Sequence, residues 1–143
     1  MIKIKLLLLS KNVYSKIINH VKEGYPYEVC GVLLGKRFND ICYATEAIKL
    51  KNIIKSPRRF WFNVKHWMKV IYQGKEKGLE YIGLYHSHPD SDIVPSLYDL
   101  ERMVEAPGEV WLIIAYNPPD IRIKAWYIPD YYSRTVPIHL LIS

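Results

Sequence analysis

Two histidines, His86 and His88, stand two positions apart at the end of an apolar run and are followed by Pro89. Alternate side chains of a strand point to the same face, so both imidazoles could bind one ion if residues 79–88 form a strand. Asp99 follows on a predicted helix and could supply a carboxylate. Two imidazoles and one carboxylate make a three-ligand site with a position left for water, which is the open arrangement of catalytic zinc.

Ser96 lies three residues before Asp99 on that helix, which Pro95 is predicted to begin, so the two side chains share a face. A serine hydroxyl in this place could donate a hydrogen bond to an oxyanion. Asp90 and Asp92 are competing carboxylates, but they fall in a predicted loop with no feature that would hold them rigid. We therefore prefer Asp99 as the third ligand.

The same set of two histidines and one carboxylate could instead bind non-haem iron(II). That alternative leaves Ser96 without a role and requires no further acid. Zinc chemistry does require one, because a separate carboxylate must take the proton of the activated water and pass it to the leaving amine. Measured metal content and a test for oxygen-dependent turnover separate the two hypotheses.

The hydrophobic periodicity predicts the elements that must position these side chains. Strands are predicted at residues 2–9, 29–34, 41–50, 79–88, 109–116, 121–128 and 136–142, the last as an edge strand. Helices are predicted at residues 11–23, 64–77 and 95–105. Because strands and helices do not alternate strictly, we expect one α+β domain over residues 1–143. Its curved mixed sheet is flanked by two or three helices and is not a doubly wound parallel sheet.

Four features near these elements carry less specific signals. Glu28 stands at the entrance of the predicted strand 29–34, where sequence alone favours an exposed glutamate over a paired or functional one. Gly31 indicates close approach of another backbone or side chain. Phe60–Phe62 is an apolar cluster that could form a short strand or a wall beside a substrate. His20 falls off the apolar stripe of the first helix and is expected at the surface.

The 143 residues carry a net charge of +6. Five basic residues are concentrated within a short stretch: Lys49, Lys51, Lys55, Arg58 and Arg59. This concentration could hold nucleic acid or an acidic protein partner, or it could be a solvated loop. No recognisable nucleic-acid motif accompanies it, so nucleic-acid binding is the least favoured of these functions.

The two cysteines, Cys30 and Cys42, favour a reduced, cytoplasmic protein. They would be too far apart for a disulfide within a hairpin of residues 29–36 and 41–49, although an intermolecular disulfide stays open. No apolar run approaches the roughly 20 residues of a membrane span. Ile4–Leu9 is short and no cleavage site follows it, so we expect neither a membrane anchor nor a signal peptide.

Taken together, Glu28, His86–Pro89, Ser96 and Asp99 resemble the complete signature of the JAMM (MPN+) metallopeptidases. The resemblance spans roughly residues 2–130. Two surrounding segments agree with it: residues 26–35, similar to the segment around the family's catalytic glutamate, and residues 111–127, similar to its late strand pair. A lone His-x-His-Pro would be a weak signal, whereas five polar positions at matching spacing are a specific one.

The resemblance implies roles for these residues. His86, His88 and Asp99 would bind one zinc ion, Glu28 would be the general base and proton shuttle, and Ser96 would steady the oxyanion. The family hydrolyses the isopeptide or peptide bond after the C-terminal tail of a ubiquitin-like protein. The chain is most similar to compact prokaryotic members such as the archaeal desampylases, which implies a zinc isopeptidase acting on conjugates of a ubiquitin-like modifier.

Two other functions remain open. A peptidase of the same family could release cysteine or another small group from a ubiquitin-like sulfur-carrier protein. A non-catalytic, modifier-binding module is disfavoured because the metal-binding positions are intact. The chain lacks long insertions, so selectivity for one polyubiquitin linkage is not expected, and nothing predicts the oligomeric state. The sequence also leaves open whether Glu28 reaches the metal.

Overall fold

The computed structural model describes residues 3–131 and 133–143. Over these residues the chain forms seven strands and three helices. In chain order they are β1 (Leu6–Leu9), α1 (Lys11–Gly24), β2 (Cys30–Phe38), β3 (Ile41–Leu50), α2 (Val64–Glu76), β4 (Glu80–Pro89), α3 (Leu97–Met103), β5 (Val110–Asn117), β6 (Asp120–Tyr127) and β7 (Val136–Ile142). The first predicted strand, 2–9, is thus shorter than expected, and its residue Ile2 lies outside the described residues. The α+β class predicted from the sequence is confirmed.

The seven strands form one strongly curved sheet in the order β1-β3-β2-β4-β5-β6-β7, which closes on itself because β1 pairs in parallel with both β3 and β7. β4 and β5 are also parallel, and the remaining neighbours are antiparallel. The prediction that the last strand lies at an edge is wrong, because β7 lies between β6 and β1. Its half-buried residues Ile138 and Leu140 pack against the core, and this closure depends on β1, far away in sequence.

The sheet separates two hydrophobic clusters. Leu33 of β2 packs in the cluster under α1, whereas its neighbours Val32 and Leu34 pack in the cluster under α2. Burial on both faces explains why the β2 sequence reads as a continuous apolar run. Phe60 and Phe62 are buried in the second cluster without forming a strand, so the short strand considered for this segment is not present.

The structure also shows the state of the two cysteines and the character of the helices. Cys30 and Cys42 are both buried and unpaired, as predicted for the hairpin of β2 and β3. In that hairpin Cys30 lies opposite Leu50 and Cys42 lies opposite Arg37. None of the helices in the described part of the chain is long and apolar enough to cross a lipid bilayer.

Gly31 sits opposite Tyr85 on β4, as its glycine identity suggested. A Cβ atom at Gly31 would lie 2.2 to 2.5 Å from ring and hydroxyl atoms of Tyr85. The Tyr85 side chain is buried, and its hydroxyl makes a 2.7 Å hydrogen bond with Nδ1 of His20. His20 is therefore half-buried and bonded, which corrects the expectation of a surface histidine.

We expect Gly31→Ala to destabilise the protein by about 1–3 kcal/mol, since the added methyl group must displace a buried aromatic ring. The midpoint of urea unfolding measures this cost. The matched background is Tyr85→Leu, in which the smaller side chain leaves room and Gly31→Ala should cost less. An equal cost in both backgrounds would show that the contact with Tyr85 is not the cause.

Candidate metal centre and catalytic cavity

The two histidines lie at the C-terminal end of β4, which is held on both sides. His86 pairs with Cys30 of β2, and His88 pairs with Ala115 of the parallel strand β5. This pairing fixes the alternation of the strand, so that both imidazoles lie on one face. Their Nε2 atoms are 3.0 Å apart, and both side chains are buried.

Helix α3 brings the carboxylate to the histidines. Ser96 is the N-cap, and its Oγ accepts a hydrogen bond from the Asp99 backbone N–H at 3.0 Å. In return, Oδ2 of Asp99 accepts one from the Ser96 backbone N–H at 3.0 Å, which completes a capping box. The same Oδ2 lies 3.1 Å from Nε2 of His86 and 2.9 Å from Nε2 of His88.

This cap corrects one prediction. Pro95 was expected to be the first helical residue, but the helix begins at Leu97 because the Ser96 side chain caps it. Ser96 and Asp99 are therefore joined by reciprocal cap hydrogen bonds and do not simply share a helix face. The Asp99 carboxylate is therefore held rigidly, because the backbone N–H and the side chain of Asp99 both make hydrogen bonds within the cap.

The surrounding residues orient each imidazole. Nδ1 of His88 bonds to the backbone carbonyl of Asp92 at 2.6 Å. Phe60 stacks on His86 with ring centroids 4.4 Å apart, and Trp111 contacts the same ring edge-on at 5.4 Å. The apolar segment around Phe60 thus packs against the His86 ring and helps to hold its orientation. The sequence offered no signal for a backbone carbonyl as the partner of His88.

Asp90 and Asp92 do not join the cluster. The Asp90 carboxylate accepts a hydrogen bond from the Tyr25 hydroxyl at 2.6 Å. The Asp92 carboxylate faces Arg122 at 3.4 Å. The expectation that nothing holds this loop is wrong, because the Asp92 carbonyl bonds to His88 and the Asp92 carboxylate pairs with Arg122. Asp92 therefore contacts His88 through its backbone and not through its side chain.

The donor set fits a divalent metal ion. His86, His88 and Asp99 each offer one ligand atom, and these atoms all lie within 4.8 Å of one another. Donation from Nδ1 of His88 to the Asp92 carbonyl leaves a lone pair on Nε2, which then faces the Asp99 oxygen. Two acceptors at 2.9 Å repel each other unless a cation or a proton lies between them.

The protonation states agree with this fit. Burial lowers the pKa of His86, so its imidazole is neutral at neutral pH. Burial acts to raise the pKa of Asp99, but its interactions with the His86 and His88 imidazoles and the hydrogen bond from the Ser96 backbone N–H hold it well below its usual range. Neutral imidazole and ionised carboxylate are the forms that bind metals.

Glu28 reaches the site through two backbone attachments. The Val29 N–H donates to Oγ of Ser87 at 2.9 Å, and the Ser87 N–H donates to the Val29 carbonyl at 3.0 Å. Ser87, the residue between the two histidines, thereby ties the entrance of β2 to the end of β4. This role had no signal in the sequence, because the alternation of a strand points Ser87 away from the histidine face.

The Glu28 side chain is only 4% exposed, which corrects the default interpretation of an exposed glutamate. Its Oε1 is buried with no hydrogen-bond partner among the described residues. Glu28, His88 and Ser96 line one cavity of about 390 Å³. The structure therefore brings the sequence-distant acid to the same cavity as a histidine of the cluster and the N-cap serine.

Burial raises the pKa of Glu28 to about 9, and the negative charge of Asp99 adds to the effect. Without a cation nearby the carboxyl group is therefore protonated at neutral pH. A divalent cation in the adjacent cluster would favour the ionised form, because an opposite charge lowers the pKa of an acid.

This pKa predicts a pH dependence of stability in the metal-free protein. Between pH 4.5 and about 9 the folded state holds a proton on Glu28 that the unfolded state has released. The free energy of unfolding should therefore fall as the pH rises through this window, by a few kcal/mol in total. Urea unfolding at pH 5, 7 and 8.5 in a chelator measures it, and Glu28→Gln should flatten the profile. An equal slope in both proteins would contradict the assignment.

Comparisons with known proteins identify the family of the chain. Residues 10–129 match the family described as prokaryotic homologs of the JAB domain. The chain is 36% identical over 139 residues to the desampylase of Haloferax volcanii, covering 92% of this chain and 96% of that protein. It is 22% identical over 135 residues to the CysO-cysteine peptidase of Mycobacterium tuberculosis, covering 94% of this chain and 91% of that protein.

A solved structure shows the same fold. The solution structure of a Desulfitobacterium hafniense protein superposes with a TM-score of 0.85 at 24% identity, covering 96% of this chain and 92% of the other. The matched range, residues 10–129, spans Glu28, both histidines, Ser96 and Asp99. The chain therefore belongs to the prokaryotic JAB-domain family and is a hydrolase of the JAMM type.

Proposed function

We propose that the protein is a zinc-dependent isopeptidase. It hydrolyses the bond between the C-terminal glycine of a ubiquitin-like modifier and a lysine of the target protein. The observation that carries the proposal is the cavity in which buried Glu28 meets His88 and Ser96, beside the cluster of His86, His88 and Asp99. Similarity to a desampylase over nearly the whole length of both proteins supports the substrate class.

In this proposal His86, His88 and Asp99 hold the zinc ion. When bound, zinc lowers the pKa of a water molecule to about 7 and acts as a Lewis acid toward a carbonyl oxygen. Glu28 takes the proton of the attacking water on its carboxylate and passes it to the leaving nitrogen. Ser96 accepts from the Asp99 N–H, so its own hydroxyl proton is free to donate to the oxyanion in the cavity.

The partners and location belong to the same proposal. The substrate is a conjugate of a ubiquitin-like protein, recognised at its C-terminal tail beside the cavity. We place the reaction in the cytoplasm, where the two buried and unpaired cysteines suit the reducing conditions. Similarity to a CysO-cysteine peptidase supports a second candidate, in which the leaving group is cysteine or another small amine on a sulfur-carrier protein.

The test is incubation with a ubiquitin-like protein that ends in Gly-Gly and is joined to the lysine of a peptide. We expect cleavage by the zinc-loaded protein, loss of cleavage after treatment with 1,10-phenanthroline, and recovery when zinc is added back. Cleavage should not require oxygen, which separates zinc chemistry from that of iron(II). Cleavage that persists without metal, or none with zinc bound, would overturn the proposal.

A further inference from the structure

A second cavity lies where the segment before β1 meets the end of β6 and the start of β7. Its volume is about 510 Å³, larger than the 390 Å³ of the catalytic cavity, and the two cavities share no lining residue. Its lining residue Tyr127 pairs with Val110 of β5, which pairs with Gly83 of β4. Gly83 precedes His86 in the same strand. The second cavity is therefore displaced toward the opposite end of the sheet from the two histidines.

The interior of the second cavity is apolar. Ile4 and Tyr127 are 4% and 2% exposed, and both belong to the hydrophobic cluster under α1. Ile138 packs against the same cluster. Three further residues complete the apolar lining: Pro129, Val136 and Pro137. Cavities of this size with a mostly apolar lining are typical of sites that bind small organic ligands.

Tyr127 adds a polar group to this apolar lining. Its side chain is almost completely buried, yet among the described residues no hydrogen-bond partner is found for its hydroxyl. The buried Tyr85 shows the usual arrangement, because its hydroxyl bonds to His20 at 2.7 Å. A buried tyrosine hydroxyl without a partner costs free energy. The Tyr127 hydroxyl therefore has a proton to donate to a ligand in the second cavity.

The remaining lining residues of the second cavity are mostly basic. Four basic side chains line it: Lys3, Lys5, Arg134 and His139. Among the described residues that line this cavity none is acidic. The second cavity thus combines an apolar interior with several cations.

Two acidic residues adjoin the lining, and both have defined contacts. The Asp130 carboxylate accepts hydrogen bonds from the N–H and the hydroxyl of Ser133, at 2.7 and 2.9 Å. Asp40 contacts Lys5 through its backbone carbonyl, which accepts the Lys5 N–H at 2.8 Å. The three permanently charged side chains, Lys3, Lys5 and Arg134, outnumber these two carboxylates. The charge around the second cavity therefore favours an anion.

The basic stretch at residues 49–59 is built differently. Three of its cations have partners: Lys49 with Glu23, Lys55 with the Tyr27 ring and Arg59 with the Tyr98 ring. Arg58 lines the catalytic cavity together with Glu28 and Asp90. The Asn52 side chain fixes the backbone of this loop, because its amide donates to the carbonyls of Glu28 and Arg59 at 3.0 and 3.1 Å. The combination of an apolar interior and surplus cations is thus a property of the second cavity and not of this stretch.

The chemistry of the lining limits what the second cavity can hold. A bare inorganic anion would leave the apolar interior uncovered. A hydrocarbon would cover it but would leave the Tyr127 hydroxyl without an acceptor. A carboxylate attached to an apolar body satisfies both, since it accepts charge-assisted hydrogen bonds while its body covers the apolar surface.

We propose that the second cavity is a binding site for a small organic carboxylate that carries an apolar chain or ring. The carboxylate accepts a hydrogen bond from the Tyr127 hydroxyl and lies among the basic side chains. The apolar part covers Ile4 and Ile138. Binding is non-covalent, takes place away from the catalytic cavity and does not depend on the proposed hydrolysis.

The test titrates octanoate, 1-octanol and acetate separately into the zinc-loaded full chain. We expect octanoate to bind about tenfold more tightly than 1-octanol, because only octanoate is a charged acceptor. Acetate, which lacks the apolar chain, should bind more weakly than octanoate. Calorimetry measures the affinities, and nuclear magnetic resonance locates the site. Octanoate should move the backbone amide signals of Tyr127 and Ile138 and leave those of His86 and His88 in place.

Two variants test the named contacts. Tyr127→Phe removes only the hydroxyl and should weaken octanoate binding by about tenfold while leaving 1-octanol binding unchanged. The double variant Lys5→Gln/Arg134→Gln should weaken octanoate binding by about fivefold. The matched controls are Tyr14→Phe and Lys11→Gln, whose residues do not line the second cavity, and both should bind octanoate like the wild type.

Three results would overturn the proposal. The first is no binding of octanoate at millimolar concentration. The second is a set of signal shifts confined to the catalytic cavity, which would mean that the carboxylate binds there instead. The third is an octanoate affinity that is the same in the wild type, in Tyr127→Phe and in the double variant.

Discussion

Glu28→Gln should lower the kcat/KM for cleavage of the lysine-linked conjugate by about 10²- to 10⁴-fold, the range attributed to general base catalysis. An amide of the same shape fills the buried position but cannot accept a proton from water. Zinc content should stay at the wild-type level, because Glu28 lines the cavity and is not one of the three clustered residues. Metal analysis and steady-state kinetics on the same sample measure both effects.

The matched control for this substitution is Glu23→Gln. Glu23 is exposed, and among the described residues it forms an ion pair only with Lys49, so its neutralisation should leave both zinc content and cleavage unchanged. Because Glu28 is protonated when no metal is bound, its glutamine variant should also fold at least as stably as the wild type in a chelator. Full cleavage by Glu28→Gln would end the proposed role of this residue.

Asp99→Asn should lose zinc and cleavage together. The asparagine oxygen can still accept the hydrogen bond from the Ser96 N–H, so the cap of α3 and the fold should be retained. The negative charge that faces both imidazoles is removed, and we expect zinc affinity to fall by more than about 100-fold. Competition with a chromogenic chelator measures the affinity, and far-ultraviolet circular dichroism checks the fold.

Asp90→Asn and Asp92→Asn are the controls for Asp99. The side chains of these two residues bond to Tyr25 and Arg122, away from the histidines. Both variants should therefore keep zinc, and Asp92→Asn should keep the backbone carbonyl that orients His88. If either variant lost zinc while Asp99→Asn retained it, the ligand set would have to be reassigned.

Local patterns were sufficient to predict the elements that carry the three residues proposed to bind the metal. The alternation that ends at His86 and His88 and the rigid helix at Asp99 are properties of short segments, and both are present in the structure. The close approach at Gly31 could also be predicted, because a glycine inside a strand often marks a site where another group approaches the backbone closely. The intact signature further led to the correct family.

Long-range contacts account for what the sequence could not show. The burial of Glu28 arises from Ser87 and from the loop before α2, neither of which is marked by residue type. The position of β7 depends on pairing with β1 at the other end of the chain. The sequence predicted that α3 begins at Pro95, but the helix begins at Leu97. The reason is that the Ser96 side chain caps the helix, so Pro95 lies before the cap.

The side chain of Asn52 limits how this enzyme can diverge. Its amide, at the start of the loop before α2, binds the backbone of Glu28 and also the backbone of Arg59 and Trp61 at the end of that loop. Substitutions of the Arg58 side chain, which lines the catalytic cavity, leave these bonds intact, so this position can vary during evolution or in a designed library. Insertions between Asn52 and Trp61 would strain the hydrogen bond from Asn52 to the Glu28 carbonyl. New substrate preferences should therefore arise in this lineage by exchange of side chains, and lengthening of the loop would require a new anchor for Glu28 first.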